Sequence, residues 1–214
     1  MVRYKFINRK VLEIYKNMEY ISYPIDVIGI IKQYPNCRFM SYQQLSKLNN
    51  CSVSDIVQLC ESKSGCTHYD TATGHYLILC NQSTSGNNNH GRQRWTSAHE
   101  FGHVVCNHHS IFSYEKLAEN NFLNNYDSDF EKEADYFASI LLAPFPFFKP
   151  LNIHTSHDIQ SCFGLSAEAA SYKLSAYNKW KTTHIKTSWE NDMLHLFNDK
   201  YVYSNSKISN PSRP

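Results

Sequence analysis

The sequence predicts an α+β protein made mostly of helices. Several stretches place apolar residues at helical spacing, and two short β-rich runs are too few for an all-β fold. An aromatic content of 14% beside 19% charged residues belongs to a chain that packs a core, not to a disordered one.

Val11, Leu12, Ile14, Tyr15 and Met18 give residues 3–20 a helical spacing, and a second helix is expected at Ile25–Tyr34, just after Pro24. A short strand is expected around Cys37–Tyr42, then helices at Tyr42–Leu48 and Val53–Cys60. That helix pair, broken at Asn49-Asn50, has the outline of a helix-turn-helix. Any two packed amphipathic helices share it, and no basic cluster accompanies it, so direct nucleic-acid binding is not expected. Ser64-Gly65 and Thr73-Gly74 are breaks before the β-rich run Tyr76–Cys80. Residues 81–91 have the composition of a polar loop. A helix is then expected from about Trp95 to His108, and another from Ser128 to Leu142, stopped before Pro144, whose ring cannot continue it. A last helix is expected at Gly164–Lys179 with Ser166 as its cap, followed by a frayed polar tail at 205–214.

Charge and length narrow the class. Lys and Arg total 21 against 19 for Asp and Glu, a net charge of +2, which excludes an acidic tail and the excess expected of a protein that lives on phosphate backbones. The best apolar runs, Ile21–Ile31 and Ile140–Phe148, are interrupted by Pro24 and Asp26 and by Pro144 and Pro146. Both fall short of the roughly 20 residues of a membrane-spanning helix, so no membrane partner is expected. The N-terminal residues carry charges and no apolar signal core. Seven Cys without a C-x-x-C pair suggest reduced thiols, and the expected compartment is cytoplasmic.

One stretch carries chemistry: Thr96-Ser-Ala-His99-Glu100-Phe-Gly-His103. Two His at i and i+4 share a helix face about 5–6 Å apart, as two ligands of a tetrahedral Zn²⁺ require. Glu100 is one step round the helix, placed to reach a water at the metal rather than the metal, which is the position of a general base. A third protein ligand is needed, and two residues compete for it. His109 has the spacing of a longer His motif, but Cys106 stands where that motif has a chain-turning Gly, so a continuing helix would carry His109 away. Glu131 lies on the following helix with Asp135 one turn on, so that one carboxylate can ligate while the other orients a ligand imidazole. Glu131 is therefore preferred, with Asp135 expected to hydrogen-bond the non-ligating nitrogen of a zinc His.

Plainer roles fit the neighbours. Ser128-x-x-Glu131 also fits a capping box. Glu133 is expected as a surface carboxylate, and His108 and His109 as polar residues at a helix end. Phe130, Ala134, Phe137, Ala138 and Leu141 are expected in the core.

Taken in order, Tyr76–Asn81, then Arg94-Trp95-Thr96-x-Ala98-His99-Glu100-Phe-Gly102-His103, then Glu131-x-Glu-Ala134-Asp135-x-Phe137-Ala138-x-x-Leu141-Leu142-x-Pro144, resemble the ImmA/IrrE family of bacterial and phage zinc metallopeptidases. Tyr23–Val27 and the stretch from Gly164 to Leu174 look like that family's flanking signatures, so the resemblance covers about residues 20–178. Trp95 stands where Phe is usual and Asp135 where Asn is common; neither removes a ligand. The resemblance implies a zincin-like core with a small mixed sheet packed on helices, zinc held by His99, His103 and Glu131, and Glu100 as base. It further implies a protein substrate, a helix-turn-helix repressor of a mobile element or stress response. The alternative is a zinc-containing regulator that sequesters a repressor, or contacts DNA, without cutting; an intact Glu100 favours cleavage. The expected organisation is an N-terminal helical region packed on the core (1–62), a metallopeptidase core (63–150), a C-terminal helical region (151–185) and a partly disordered extension (186–214). Tyr76–Cys80 is expected to receive substrate as an added strand.

Overall fold

The computed structural model describes residues 1–83, 89–109, 116–118, 125–183 and 186–202. In chain order its elements are α1 (Tyr4–Asn17), α2 (Val27–Gln33), β1 (Cys37–Ser41), α3 (Tyr42–Leu48), α4 (Val53–Cys60), β2 (Gly65–Asp70) and β3 (His75–Cys80). There follow α5 (His90–Val105), β4 (Lys116–Ala118), α6 (Asn125–Leu142), a 3₁₀ turn (Phe145–Phe147), α7 (Ser156–Phe163), α8 (Ala167–Thr183) and α9 (Ser188–Lys200). Side-chain caps set many of the helix starts. Asp26 accepts from the Gly29 amide, Asn89 from the Arg92 amide, and Ser41, Ser52 and Thr155 form reciprocal capping boxes with Gln44, Asp55 and Asp158.

The strands form one mixed sheet in the order β1-β3-β2-β4. β2 and β3 are an antiparallel hairpin with Gly65 opposite Cys80 and Asp70 opposite His75, while β1 runs parallel to β3 with Cys37 beside Tyr76. A parallel pair needs a crossover connection, which α3, α4 and β2 supply. Alternation along the strands then separates two faces. Cys37, Ile78 and Cys80 join the main core beneath α5, whereas Cys66 and Leu79 pack with Tyr42, Ile56 and Cys60 of α3 and α4 on the other side. α6 packs on α5, and α1 packs on α6. α9 closes the far side: Met193 and Phe197 are buried against α1 and the 3₁₀ turn, and Lys200 Nζ donates to the carbonyls of Lys16 and Met18 just at the end of α1.

The structure departs from the sequence expectation in several places. α5 ends at Val105 instead of reaching His108, because Cys106 caps it and Asn107 takes a left-handed backbone (φ 58°). Gly65 opens strand β2 and is not a break. β3 is interior, with β1 and β2 on either side, so it offers no free edge to an added strand. Helices α7 and α9 were not expected. The tail at 205–214 and the middle of the polar loop at 84–88 lie outside the described residues, as does the side chain of Ser128.

Tyr15 shows how the helical layers are joined. Its buried hydroxyl donates to the Leu141 carbonyl at 2.7 Å and lies 2.7 Å from the Tyr23 hydroxyl, which donates to it in turn. Tyr15→Phe keeps the ring but leaves a buried acceptor on α6 and a buried donor on Tyr23 without their partner. Stability should fall by about 1–3 kcal/mol, measured from urea midpoints; an unchanged midpoint would show that the bond is replaced on relaxation.

Candidate metal centre

The second half of α5, Thr96 to Val105, is buried throughout, with the sheet on one side and α6 on the other. His99, Glu100 and His103 are therefore removed from water, at 2%, 0% and 1% exposure. Such groups must be satisfied by protein atoms or by an ion.

The i,i+4 spacing aims both imidazoles one way, and their Nε2 atoms stand 3.1 Å apart. Glu131 of α6 approaches the same point, with Oε2 3.1 Å from His99 Nε2 and Oε1 3.4 Å from His103 Nε2. A tetrahedral ion with bonds near 2.05 Å has ligand–ligand edges of about 3.3 Å, close to the separation of the two ring nitrogens and of each from one of the two carboxylate oxygens. Two ring nitrogens and a carboxylate oxygen facing one another have more lone pairs than protons to fill them, which a cation resolves. His109 is not in this cluster: its Nε2 faces the Thr67 carbonyl at 3.3 Å. Of the two residues competing for the third position, the geometry favours Glu131.

Electrostatics show the same crowding. Burial disfavours a charged His99, but hydrogen bonds with Asp135 and Glu131 outweigh it and hold its pKa well above the usual imidazole value. Burial, reinforced by the neighbouring imidazoles of His99 and His108, pushes His103 well below it. Ligation needs a lone pair on each Nε2, so metal uptake here is coupled to release of any proton held there.

Each imidazole's other nitrogen is also held. His99 Nδ1 lies 2.9 Å from Oδ1 of Asp135, an exposed residue one turn after Glu131. His103 Nδ1 lies 2.9 Å from His108 Nδ1, and His108 Nε2 lies 3.0 Å from Glu133 Oε2. Glu133 in turn accepts the Arg3 backbone amide at 2.7 Å and its guanidinium on both carboxylate oxygens, while Arg3 Nη2 also reaches the Cys106 carbonyl at 2.9 Å. Burial would raise the Glu133 pKa, but the bonds from His108 and Arg3 lower it to about 2. Glu133 is thus buried, not a surface carboxylate, and His108 and His109 are fully buried rather than polar helix-end residues. The reason is the early end of α5. Asn107, whose Oδ1 accepts from Tyr76 Oη at 3.0 Å, turns the chain so that His108 comes back beneath His103. Asn directly after a helix end is the sequence signal that could have suggested this turn.

Glu100 faces the sheet. Thr67 Oγ1 lies 2.8 Å from its Oε2 and 3.1 Å from its carbonyl oxygen, so one hydroxyl proton serves both acceptors and fixes the carboxylate. The expected core residues Phe130, Ala134, Phe137, Ala138 and Leu141 are all buried around α6. Cys106, His108 and Glu133 also lie close enough to suggest a second metal group. There the Arg3 guanidinium already occupies the cation's place, and burial pushes the Cys106 thiol up to about 12, so it stays protonated.

A His pair on one helix and a carboxylate from the next, with a buried Glu beside them, form a group that could hold a metal ion on an α+β core. Residues 63–175, just over half of the chain, match the IrrE N-terminal-like domain of peptidase family M78, and the chain belongs to that family. The match includes β2, β3, α5 and α6, which carry every side chain of the candidate centre except Arg3 and His108–His109; the last two are helical residues just after the turn at Cys106-Asn107. No curated protein matches the chain at a significant level. Among the described residues, no helix is long and apolar enough to cross a membrane.

Gly65 lets β2 pass close beneath α5. A Cβ there would stand 2.7 Å from Thr96 Cγ2, 3.0 Å from the Leu79 carbonyl oxygen and 3.2 Å from Glu100 Cγ. Gly65→Ala should destabilise the fold by about 1–3 kcal/mol in chemical denaturation, as overpacking does; wild-type stability would mean that strand and helix can separate freely.

Proposed function

We propose that this protein is a zinc-dependent endopeptidase in which His99, His103 and Glu131 hold the metal and Glu100 is the general base. The observation that carries the reading is the convergence of those three donors at distances of 3.1–3.4 Å, with Glu100 on the same buried helix. When bound, zinc supplies Lewis acidity toward a water molecule and a peptide carbonyl. Glu100 accepts the proton of the attacking water and returns it to the leaving amine, so no proton need be drawn from solvent. Thr67, by holding Oε2, fixes the orientation in which Glu100 does this. Asp135 holds His99 in the tautomer that leaves Nε2 free to ligate. The partial exposure of Glu131 leaves the centre open to substrate.

The substrate class rests on the sequence resemblance: a helix-turn-helix repressor of a mobile element or stress response, cut at one site. Membership of the peptidase family supports a protein substrate.

Metal analysis tests the ligands. Wild type should bind one equivalent of zinc, and His103→Ala and Glu131→Ala should lose most of it. Retention in Glu131→Ala with loss in His109→Ala would overturn the assignment.

Incubation with the candidate repressor, read by gel and mass spectrometry, tests the reaction. Glu100→Gln keeps size and hydrogen bonding, so zinc content and repressor binding should survive while cleavage falls by at least about 100-fold. A wild type that binds the repressor and never cuts it, with both proteins relieving repression equally in cells, would replace proteolysis with sequestration.

A further inference from the structure

We propose that His108, Glu133 and Arg3 form a relay that positions His103 as a metal ligand by fixing which of its nitrogens carries the proton. The inference rests on His103 being a ligand, as proposed above.

The protons run from the Arg3–Glu133 pair toward the candidate metal position. Glu133, held by the Arg3 guanidinium and backbone amide, is an acceptor only. His108 Nε2, 3.0 Å away, must therefore be the protonated nitrogen of that ring. A neutral imidazole has one N–H, so His108 Nδ1 presents a lone pair. That lone pair faces His103 Nδ1 at 2.9 Å, which must donate. The lone pair of His103 is then left on Nε2, the atom aimed at His99 Nε2 and Glu131. The two ligand histidines are thus set by carboxylates in different ways. His99 meets Asp135 directly at the exposed rim, while His103 meets Glu133 through a second imidazole in the interior.

Two other roles for the cluster can be separated from this one. His108 stacks on Phe130 with ring centroids 4.5 Å apart and planes at 19°, so it also fills space. Arg3 joins the start of α1 to Glu133 of α6 and to the Cys106 carbonyl, so it also holds elements together. A variant that keeps the stacking and leaves Arg3 untouched isolates the relay. His108→Phe does so. His108→Gln restores an acceptor toward His103 and a donor toward Glu133 at the spacing of the ring nitrogens.

The experiment measures zinc affinity by chelator competition for wild type, His108→Phe, His108→Gln and the ligand control His103→Ala. Metal-free melting is recorded for each, and the His103 tautomer is read by ¹⁵N NMR. His108→Phe should weaken zinc binding by about 10–100-fold, the usual loss for a partner of a ligand histidine, while the metal-free protein still melts in one cooperative transition, lowered by the loss of two buried hydrogen bonds. His108→Gln should recover most of the affinity. The His103 signal should show a protonated Nδ1 in wild type and in His108→Gln, and a mixture in His108→Phe. Equal losses in the Phe and Gln variants, or zinc affinity unchanged in His108→Phe while His103→Ala loses it, would overturn the relay alone. A wild type that binds no zinc, or a His103→Ala that binds it fully, would overturn the ligand assignment and the relay with it.

Discussion

Gly102 and Ala134 allow α5 and α6 to cross so closely that a Cβ on Gly102 would lie 3.0 Å from the Ala134 Cα and 3.2 Å from its carbonyl oxygen, and the arrangement of the centre depends on that crossing. Gly102 immediately precedes His103, and Ala134 sits between Glu133 and Asp135. This close approach therefore lies beside His103 on one helix and, on the other, beside the two carboxylates that hydrogen-bond His99 and His108. A larger side chain at either position would move α6 outward and take Glu131 away from the two Nε2 atoms. On the opposite side of α5, Gly65 does the same for β2, so Thr67 can reach Glu100. Absent side chains at two points set the distances among the polar ones.

The crossing also creates an electrostatic problem that the fold must solve. Closing α6 over α5 removes imidazoles and carboxylates from water, and an unpaired buried charge costs several kcal/mol. The polar neighbours in the region answer that cost. Asp135 meets His99, His108 meets His103, Glu133 meets His108, Arg3 meets Glu133 and Thr67 meets Glu100. At the point shared by His99, His103 and Glu131, two ring nitrogens and a carboxylate face one another in the interior. A cation would satisfy the lone pairs gathered at that point.

Much of this was legible in the sequence. The His pair with Glu100, and Glu131 with Asp135, are grouped by spacing, because each set lies within about one turn of a single helix. The two β-rich runs and most helices were legible from composition and apolar spacing. Strand β2 was not, since Gly65 and Asp70 at its ends read as turn residues and only the pairing with β3 makes a strand of Cys66–Tyr69. Helices α7 and α9 are short or weakly amphipathic. Their starts were nonetheless written in Thr155-x-x-Asp158 and Thr187-x-x-Glu190, two capping boxes that periodicity alone does not detect. Thr67 and Arg3 had no local signal at all, because their partners lie far along the chain.

Glu133 and His108 were missed for one shared reason. Residues two apart on a helix point about 200° apart, so a helix that offers Glu131 and Asp135 to one side should offer Glu133 to the solvent. That inference assumes a helix with one wet face. α6 has α5 against it on one side and α1 on the other, so its second side is interior as well. Phe130 and Glu133, one turn apart, line that second side, and His108 lies against both, stacked on the first and hydrogen-bonded to the second. The left-handed Asn107 carries His108 there from the end of α5. A single imidazole just after a turn thereby spans the angle that α6 by itself cannot, and connects a carboxylate facing away from the candidate metal position to a histidine that faces it.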